Sequence, residues 1–216
     1  MKTIFKKSKV KVLLLITGSI AAVRIPLLVS QLVKDDYEIR CVVSENAEKL
    51  IQPLSLSILS RNACILDKEQ WSYLNSRPLH IDLCDWADVL ILAPLTATTL
   101  SKWVTGNADG LISSILIASN KPIIVAPAMN SKMWINQAVQ RNYLYLQDYP
   151  NVLTLQPSEG ILACDEIGIG KIPSNDLIQL ALRFLLLQNK KPYCRDLLGK
   201  EFLITGGCTS EKIDAA

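Results

Sequence analysis

Short apolar runs recur along the chain, at residues 10–16, 37–43, 89–93, 122–126 and 152–155. Each is rich in Val, Ile and Leu, the pattern of strands buried on both faces of a parallel sheet. Between them lie longer stretches, at 20–34, 46–59, 98–118 and 132–147, that read as helices. Pro26 falls in the second turn of the first, where it bends the helix without having to break it. Strand and helix in alternation predict βαβ units. The expected fold is α/β, a Rossmann-like (flavodoxin-like) open parallel sheet with helices on both faces. Ligands bind such sheets beyond the carboxyl ends of the strands, so the chemistry should follow directly after each apolar run.

Residues 177–187 predict a last helix, and 188–192 form a polar, Pro-containing linker. A further strand at 201–205, followed by Gly206 and Gly207, reads as the opening of a second domain. The division expected is therefore a domain over 1–190 and a linker with a truncated domain start over 191–216. Near the N-terminus, Lys6, Lys7, Lys9 and Lys11 precede an apolar run, which imitates a signal peptide. The same strand–turn–helix rhythm recurs downstream, so the run is read as a first buried strand. No run approaches the roughly 20 apolar residues needed to cross a bilayer.

Composition narrows the function. With 50% hydrophobic and 20% charged residues in 216, the chain can bury a sizeable core and is not a disordered chain. A net charge of +3 argues against a nucleic-acid binder that works by bulk charge. One His excludes a three-His metal site within one chain, and the six Cys form no C-x-x-C pair. No metal is expected, and reduced thiols in a cytoplasmic protein are.

Five segments carry candidate chemistry. Thr17-Gly18-Ser19-Ile20-Ala21-Ala22 is a strand-to-helix turn. It is either a plain Gly turn or a phosphate holder using exposed N–H groups and the Ser19 hydroxyl; it matches neither G-x-G-x-x-G nor the Walker loop. Ser44 and Asn46 either cap the next helix or reach a ligand. Thr96, Thr98 and Thr99 offer more hydroxyls than a cap requires. In Pro127-Ala128-Met129-Asn130-Ser131-Lys132-Met133-Trp134, the Asn130 amide can donate to a carboxylate, while the two Met and the Trp could simply be core. Residues 160–171 hold three of the nine Gly together with Cys164. They form either a mobile flap with a reactive thiol or a structural hairpin with an inert one. The lone His80 is either structural or a proton-transfer group.

Taken in order, Gly18-Ser19-Ile20-Ala21-Ala22, His80, Ala93-Pro94-x-Thr96-Ala97, Pro127-Ala-Met-Asn-x-x-Met-Trp134 and Ala163-Cys164 resemble the flavin-dependent cysteine decarboxylases over residues 8–187. The nearest likeness is the branch serving coenzyme A biosynthesis. The segment 203–214 resembles the start of the ligase domain that many bacteria fuse behind it.

The resemblance implies FMN-dependent decarboxylation of 4′-phosphopantothenoylcysteine to 4′-phosphopantetheine. It implies FMN held by Gly18, Ser19, Ile20, Ser44, Asn46, Thr96, Thr98, Thr99 and Ala128. His80 would act beside the flavin, Asn130 would bind the substrate carboxylate, and Cys164 would give the final proton; Met133, Ala163 and Lys171 would also face the substrate. A flavin site between protomers of a trimer, often grouped into a dodecamer, comes with the family, as does a small-molecule substrate without nucleic acid or membrane. Three positions depart from its usual pattern: Thr98 for Asn, Asp165 for Gly, and Lys171 for a frequent Arg. An anionic neighbour such as Asp165 should raise the Cys164 pKa, which suits a proton donor. Alternatives are a peptidyl-cysteine decarboxylase and a non-catalytic flavin-binding regulatory relative.

Overall fold

The computed structural model describes residues 9–72, 74, 76–161 and 167–190. Six strands form a parallel sheet: β1 (Lys11–Ile16), β2 (Glu38–Val43), β3 (Ile65–Leu66), β4 (Val89–Leu95), β5 (Ile123–Pro127) and β6 (Val152–Thr154). Their order across the sheet is β3-β2-β1-β4-β5-β6, so the chain reverses direction of travel between β1 and β4. An antiparallel hairpin stands apart, β7 (Ser158–Ile161) with β8 (Ile167–Lys171).

Alternate strand residues enter opposite layers, because successive side chains point to opposite faces. Val12, Leu14 and Ile16 of β1 join Ile91 and Ala93 of β4 on one face. They pack against Leu28 and Leu32 of α1 (Ile25–Lys34), Leu56 of α3 (Pro53–Ser60) and Ile178 and Leu182 of α9 (Asn175–Lys190). Leu13, Leu15, Leu90 and Leu92 take the other face. There they meet Leu83 of α4 (Leu79–Trp86), Leu100 and Trp103 of α5 (Ala97–Val104), Ile115 of α6 (Leu111–Ala118) and Tyr143 of α8 (Gln137–Gln147). Burial on both faces explains why the strands read as unbroken apolar runs.

The five predicted strands and the parallel plan with helices on both faces are found, with the short edge strand β3 and helix α4 added, but every long helix predicted between strands is interrupted. Residues 20–34 open with a 3-10 turn, Ile20–Arg24, and Pro26 lies at the start of α1 rather than in a second turn. There its missing N–H costs no helical bond. The 46–59 stretch divides into α2 (Glu45–Glu48) and α3, with Pro53 starting the latter. The 98–118 stretch divides into α5 and α6 around Gly106, whose φ of +72° suits Gly. The 132–147 stretch divides into α7 (Ser131–Trp134) and α8, where Asn136 caps α8 through its Oδ1. The predicted strand at 201–205 and the domain start over 191–216 lie outside the described residues.

Candidate active site at the carboxyl edge of the sheet

Four of the central strand ends run into an N-cap. Ser19 Oγ accepts from Ala21 N after β1, Ser44 Oγ from Ala47 N after β2, Thr96 Oγ1 from Thr99 N after β4, and Asn130 Oδ1 from Lys132 N after β5. The Ser and Thr contacts are long, 3.4, 3.3 and 3.4 Å, against a usual 2.7–3.2 Å for N–H···O bonds. The Ser19 and Ser44 hydroxyls are thus only loosely engaged, while Thr96 Oγ1 also donates to Thr99 Oγ1 at 3.1 Å. The Asn130 contact, at 2.8 Å, is firm, and it turns the amide oxygen toward the backbone.

The turns are tied to one another. Ser44 N donates to Ile16 O, and Ala128 N to Leu95 O, each at 3.0 Å. The buried Thr17 hydroxyl donates to Pro94 O at 2.6 Å, beside the cis Ala93–Pro94 peptide. Gly18 is pressed against α2: a Cβ added there would run into the Asn46 Cβ, with Asn46 C at 3.2 Å. The hairpin is fastened to the same edge, since Met129 N donates to Gly170 O at 3.0 Å.

Together these turns enclose a cavity of about 420 Å³. Its walls include Gly18, Ser19, Ser44, Asn46, Thr96, Thr98, Thr99, Ala128, Asn130 and Met133, all named by the sequence. Ile20 is not among them; it begins the 3-10 turn and is 55% exposed. Of the apolar residues in the Pro127–Trp134 string, Trp134 is core, stacked edge-on to Tyr143, while Met129 and Met133 face the cavity. Lys171 ends β8, next to the Gly170 that bonds Met129. Ala163 and Cys164 lie outside the described residues.

His80 is elsewhere. It occupies the first turn of α4 and lines a second cavity of about 270 Å³ with Gln70, Trp71, Ser72, Ser76, Arg77 and Pro78. Trp71 beside it is 84% exposed. One chain therefore presents His80 and Asn130 on different cavities.

The sequence did not single out Asp67 and Lys102, which line the main cavity together with Glu45 of the Ser44–Asn46 turn. Asp67 follows β3, a two-residue edge strand too short to leave a pattern. Its Oδ1 accepts from Ile112 N at 2.9 Å, and burial pushes its carboxyl above the usual range. Lys102 is visible in retrospect, one helical turn after Thr98 on α5. Its Nζ meets Asp109 Oδ2 at 2.8 Å, and this holds the Asp109 carboxyl below its ordinary value. Burial raises the thiols of Cys41, Cys64 and Cys84, Cys64 to about 12. None of these three is an activated nucleophile.

A parallel sheet with its cavity at the reversal point, walled by loosely engaged hydroxyls and first-turn amides, defines a mononucleotide-type α/β binding protein. The flavoprotein family matches residues 3–185. The coenzyme A biosynthesis bifunctional protein of Bacillus subtilis is 37% identical over 209 residues, covering 94% of this chain and 49% of that protein. A probable phosphopantothenoylcysteine decarboxylase of Streptococcus mutans is 34% identical over 173 residues, covering 78% of this chain and 94% of that protein. A solved PPC decarboxylase complexed with pantothenoylaminoethenethiol superimposes with a TM-score of 0.75 at 34% identity, covering 83% of this chain and 100% of that one. The chain belongs to the flavoprotein family. It spans about half the length of the bifunctional relatives it matches. No helix among the described residues is long and apolar enough to cross a membrane.

The cavity fits the family's flavin in this chain's own terms. About 420 Å³ lies within the usual span of small-ligand sites. Gly18 lets the turn after β1 close against α2, which brings Ser19 and Ser44 to one cavity, and the Ser hydroxyls have hydrogen-bonding capacity to spare.

Proposed function

We propose that the chain is an FMN-dependent decarboxylase acting on 4′-phosphopantothenoylcysteine. The observation that carries this reading is the make-up of the cavity wall. In sheet order the turns after β2, β1 and β4 bring Ser44, Ser19 and Thr96–Thr99, and the turn after β5, outermost of the four, brings Asn130 with Met133. The first set suits a phosphate, the second a substrate carboxylate.

A simple amino-acid carboxylate loses CO₂ slowly because the resulting carbanion has nowhere to delocalise. FMN, when bound, would supply a two-electron oxidation of the substrate's cysteine thiol, which gives the carboxylate a C=S electron sink at the β position. The protein's residues do the rest. Ser19, Ser44, Asn46, Thr96, Thr98 and Thr99 hold the cofactor, with Gly18 and Ala128 shaping the space. Asn130, its oxygen tied to Lys132 N, turns its NH₂ toward the substrate carboxylate and fixes the bond to be broken. Cys164 gives the proton that would accompany the two electrons returned by the reduced flavin, and together these complete the thiol product. Met133, Ala163 and Lys171 complete the set of residues assigned to the substrate.

His80 joins the site from a neighbouring protomer. Its separation from the Asn130 cavity and the bare Trp71 beside it support a trimer whose flavin sites lie between copies, with a dodecamer as the larger assembly. The setting is the cytoplasm, and residues 191–216 are the linker and first segment of a ligase-like domain. The test is CO₂ release with mass analysis of the product. Phosphopantothenoylcysteine should lose 44 Da as CO₂ in a yellow protein, an approximate mass fixed by the reaction itself. Release only from a cysteine-ending peptide, or from neither, overturns the reading.

A further inference from the structure

Among the described residues that line the main cavity, Lys102 carries the single positive charge, against Glu45 and Asp67. The phosphate-facing walls, Ser19, Ser44 and Thr96 to Thr99, are uncharged hydroxyls and amides. A phosphate monoester carries roughly −1.5 to −2 at neutral pH. An uncharged cradle with two carboxylates nearby leaves that charge uncompensated.

The surroundings of Lys102 are arranged to answer it. Thr98 and Lys102 are four apart on α5, so they share a helix face, and both line the cavity. The carboxylate beside Lys102 is the fixed partner: Asp109 is also bonded by the Ser113 hydroxyl at 3.4 Å, at the start of α6. Lys102 and Asp109 are 38% and 47% exposed, and partly exposed pairs of this kind hold weakly. The long Lys stem can therefore exchange partners at little cost. Asp67 does not compete for it by direct pairing. Its carboxylate is engaged by the amide of Ile112, while its charge still draws the ammonium toward the cavity.

We propose that Lys102 is a cofactor-selecting residue: it moves from Asp109 to the flavin's phosphate and makes the chain prefer FMN over unphosphorylated riboflavin. This rests on the flavin reading above and deepens it. Compact, mobile and triply donating, an ammonium suits a point-charge contact with phosphate.

The test is equilibrium dialysis of the full chain against FMN and, separately, riboflavin, read by flavin absorbance. Wild type should bind FMN far more tightly. Lys102→Met should weaken FMN about tenfold or more, the scale of a lost charge-assisted bond, and leave riboflavin within about twofold. Lys102→Arg should recover most of the FMN affinity. Unchanged FMN binding by Lys102→Met overturns the proposal, as does an equal loss for both flavins, which would mark a structural role. A wild-type chain that takes up neither flavin overturns the flavin reading and this one with it.

Discussion

Replacing Gly18 by Ala tests the cradle directly. The new Cβ would overlap the Asn46 Cβ and come within 3.2 Å of Asn46 C and 3.3 Å of its Cα. Ordinary carbon contacts lie near 3.5–4.0 Å. A Cβ has no rotamer, so no side-chain rotation relieves the clash. Either α2 or the turn after β1 must retreat, by something on the order of 1 Å for the Cβ pair. Overpacking of this size costs about 1–3 kcal/mol. The retreat separates Ser19 from Ser44, so much of that cost should appear as lost FMN affinity, about ten- to a hundredfold at roughly 1.4 kcal/mol per decade. Gly106→Ala is the control, because its Cβ meets nothing within 4 Å although its φ is +72°. That change should cost about 1–2 kcal/mol of left-handed strain, hence several degrees in Tm at roughly 2–4 °C per kcal/mol for a chain this long, with FMN affinity intact. Fluorescence titration of FMN and a thermal melt read both. Gly18→Ala with FMN affinity within twofold of wild type would refute the close-packed cradle.

His80→Asn and Asn130→Ala chains should each be inactive yet recover part of the activity when co-expressed, since a mixed assembly pairs one intact His80 with one intact Asn130; no recovery in co-purified mixtures would sink the shared site. Cys164→Ala should still release CO₂ but accumulate the oxidised enethiol, seen as a product about 2 Da lighter, the mass of the two hydrogens withheld; normal reduced product would remove Cys164 from the last step. Stability should fall in alkali: burial raises the Cys64 thiol to about 12 and the Tyr143 hydroxyl to about 12. For these groups the unfolded chain releases its protons first, from about pH 9 for the thiol and pH 10 for the phenol, so the stabilisation is complete below those values and lost as pH rises toward 12. Denaturant melts from pH 8 to 11 check it, and Tyr143→Phe, which also surrenders the bond to Leu155 O, should flatten the phenol's part of the slope.

The sheet was legible because its chemistry is local. A run such as Val12–Ile16 must be covered on both faces wherever it sits, and β1, β4 and β5 are. Helix breaks were harder, since Leu and Ile continue on both sides of Gly106 and Asn136 and the interruption depends on one φ or one cap. Each candidate hydroxyl could be read as a cap, and Ser19, Ser44 and Thr96 are indeed caps. Their convergence was not readable from any one segment, because it is set by strand order across the sheet. Asp67 was invisible for the same reason: its partner Ile112 lies 45 residues away. The position of His80 relative to Asn130 likewise depends on which strand end each one follows.

The hairpin root has no clearance. A Cβ at Gly168 would meet Ser131 Oγ, and one at Gly170 the Met129 carbonyl. The arm thus sits flush on the stretch that aims Asn130, like a lever whose fulcrum is ground flat against its base. Substitutions elsewhere in the hairpin strands leave the sheet and the cofactor cradle untouched, provided these two glycines stay. Variation in sequence is thereby steered away from Gly168 and Gly170, and the seating remains constant.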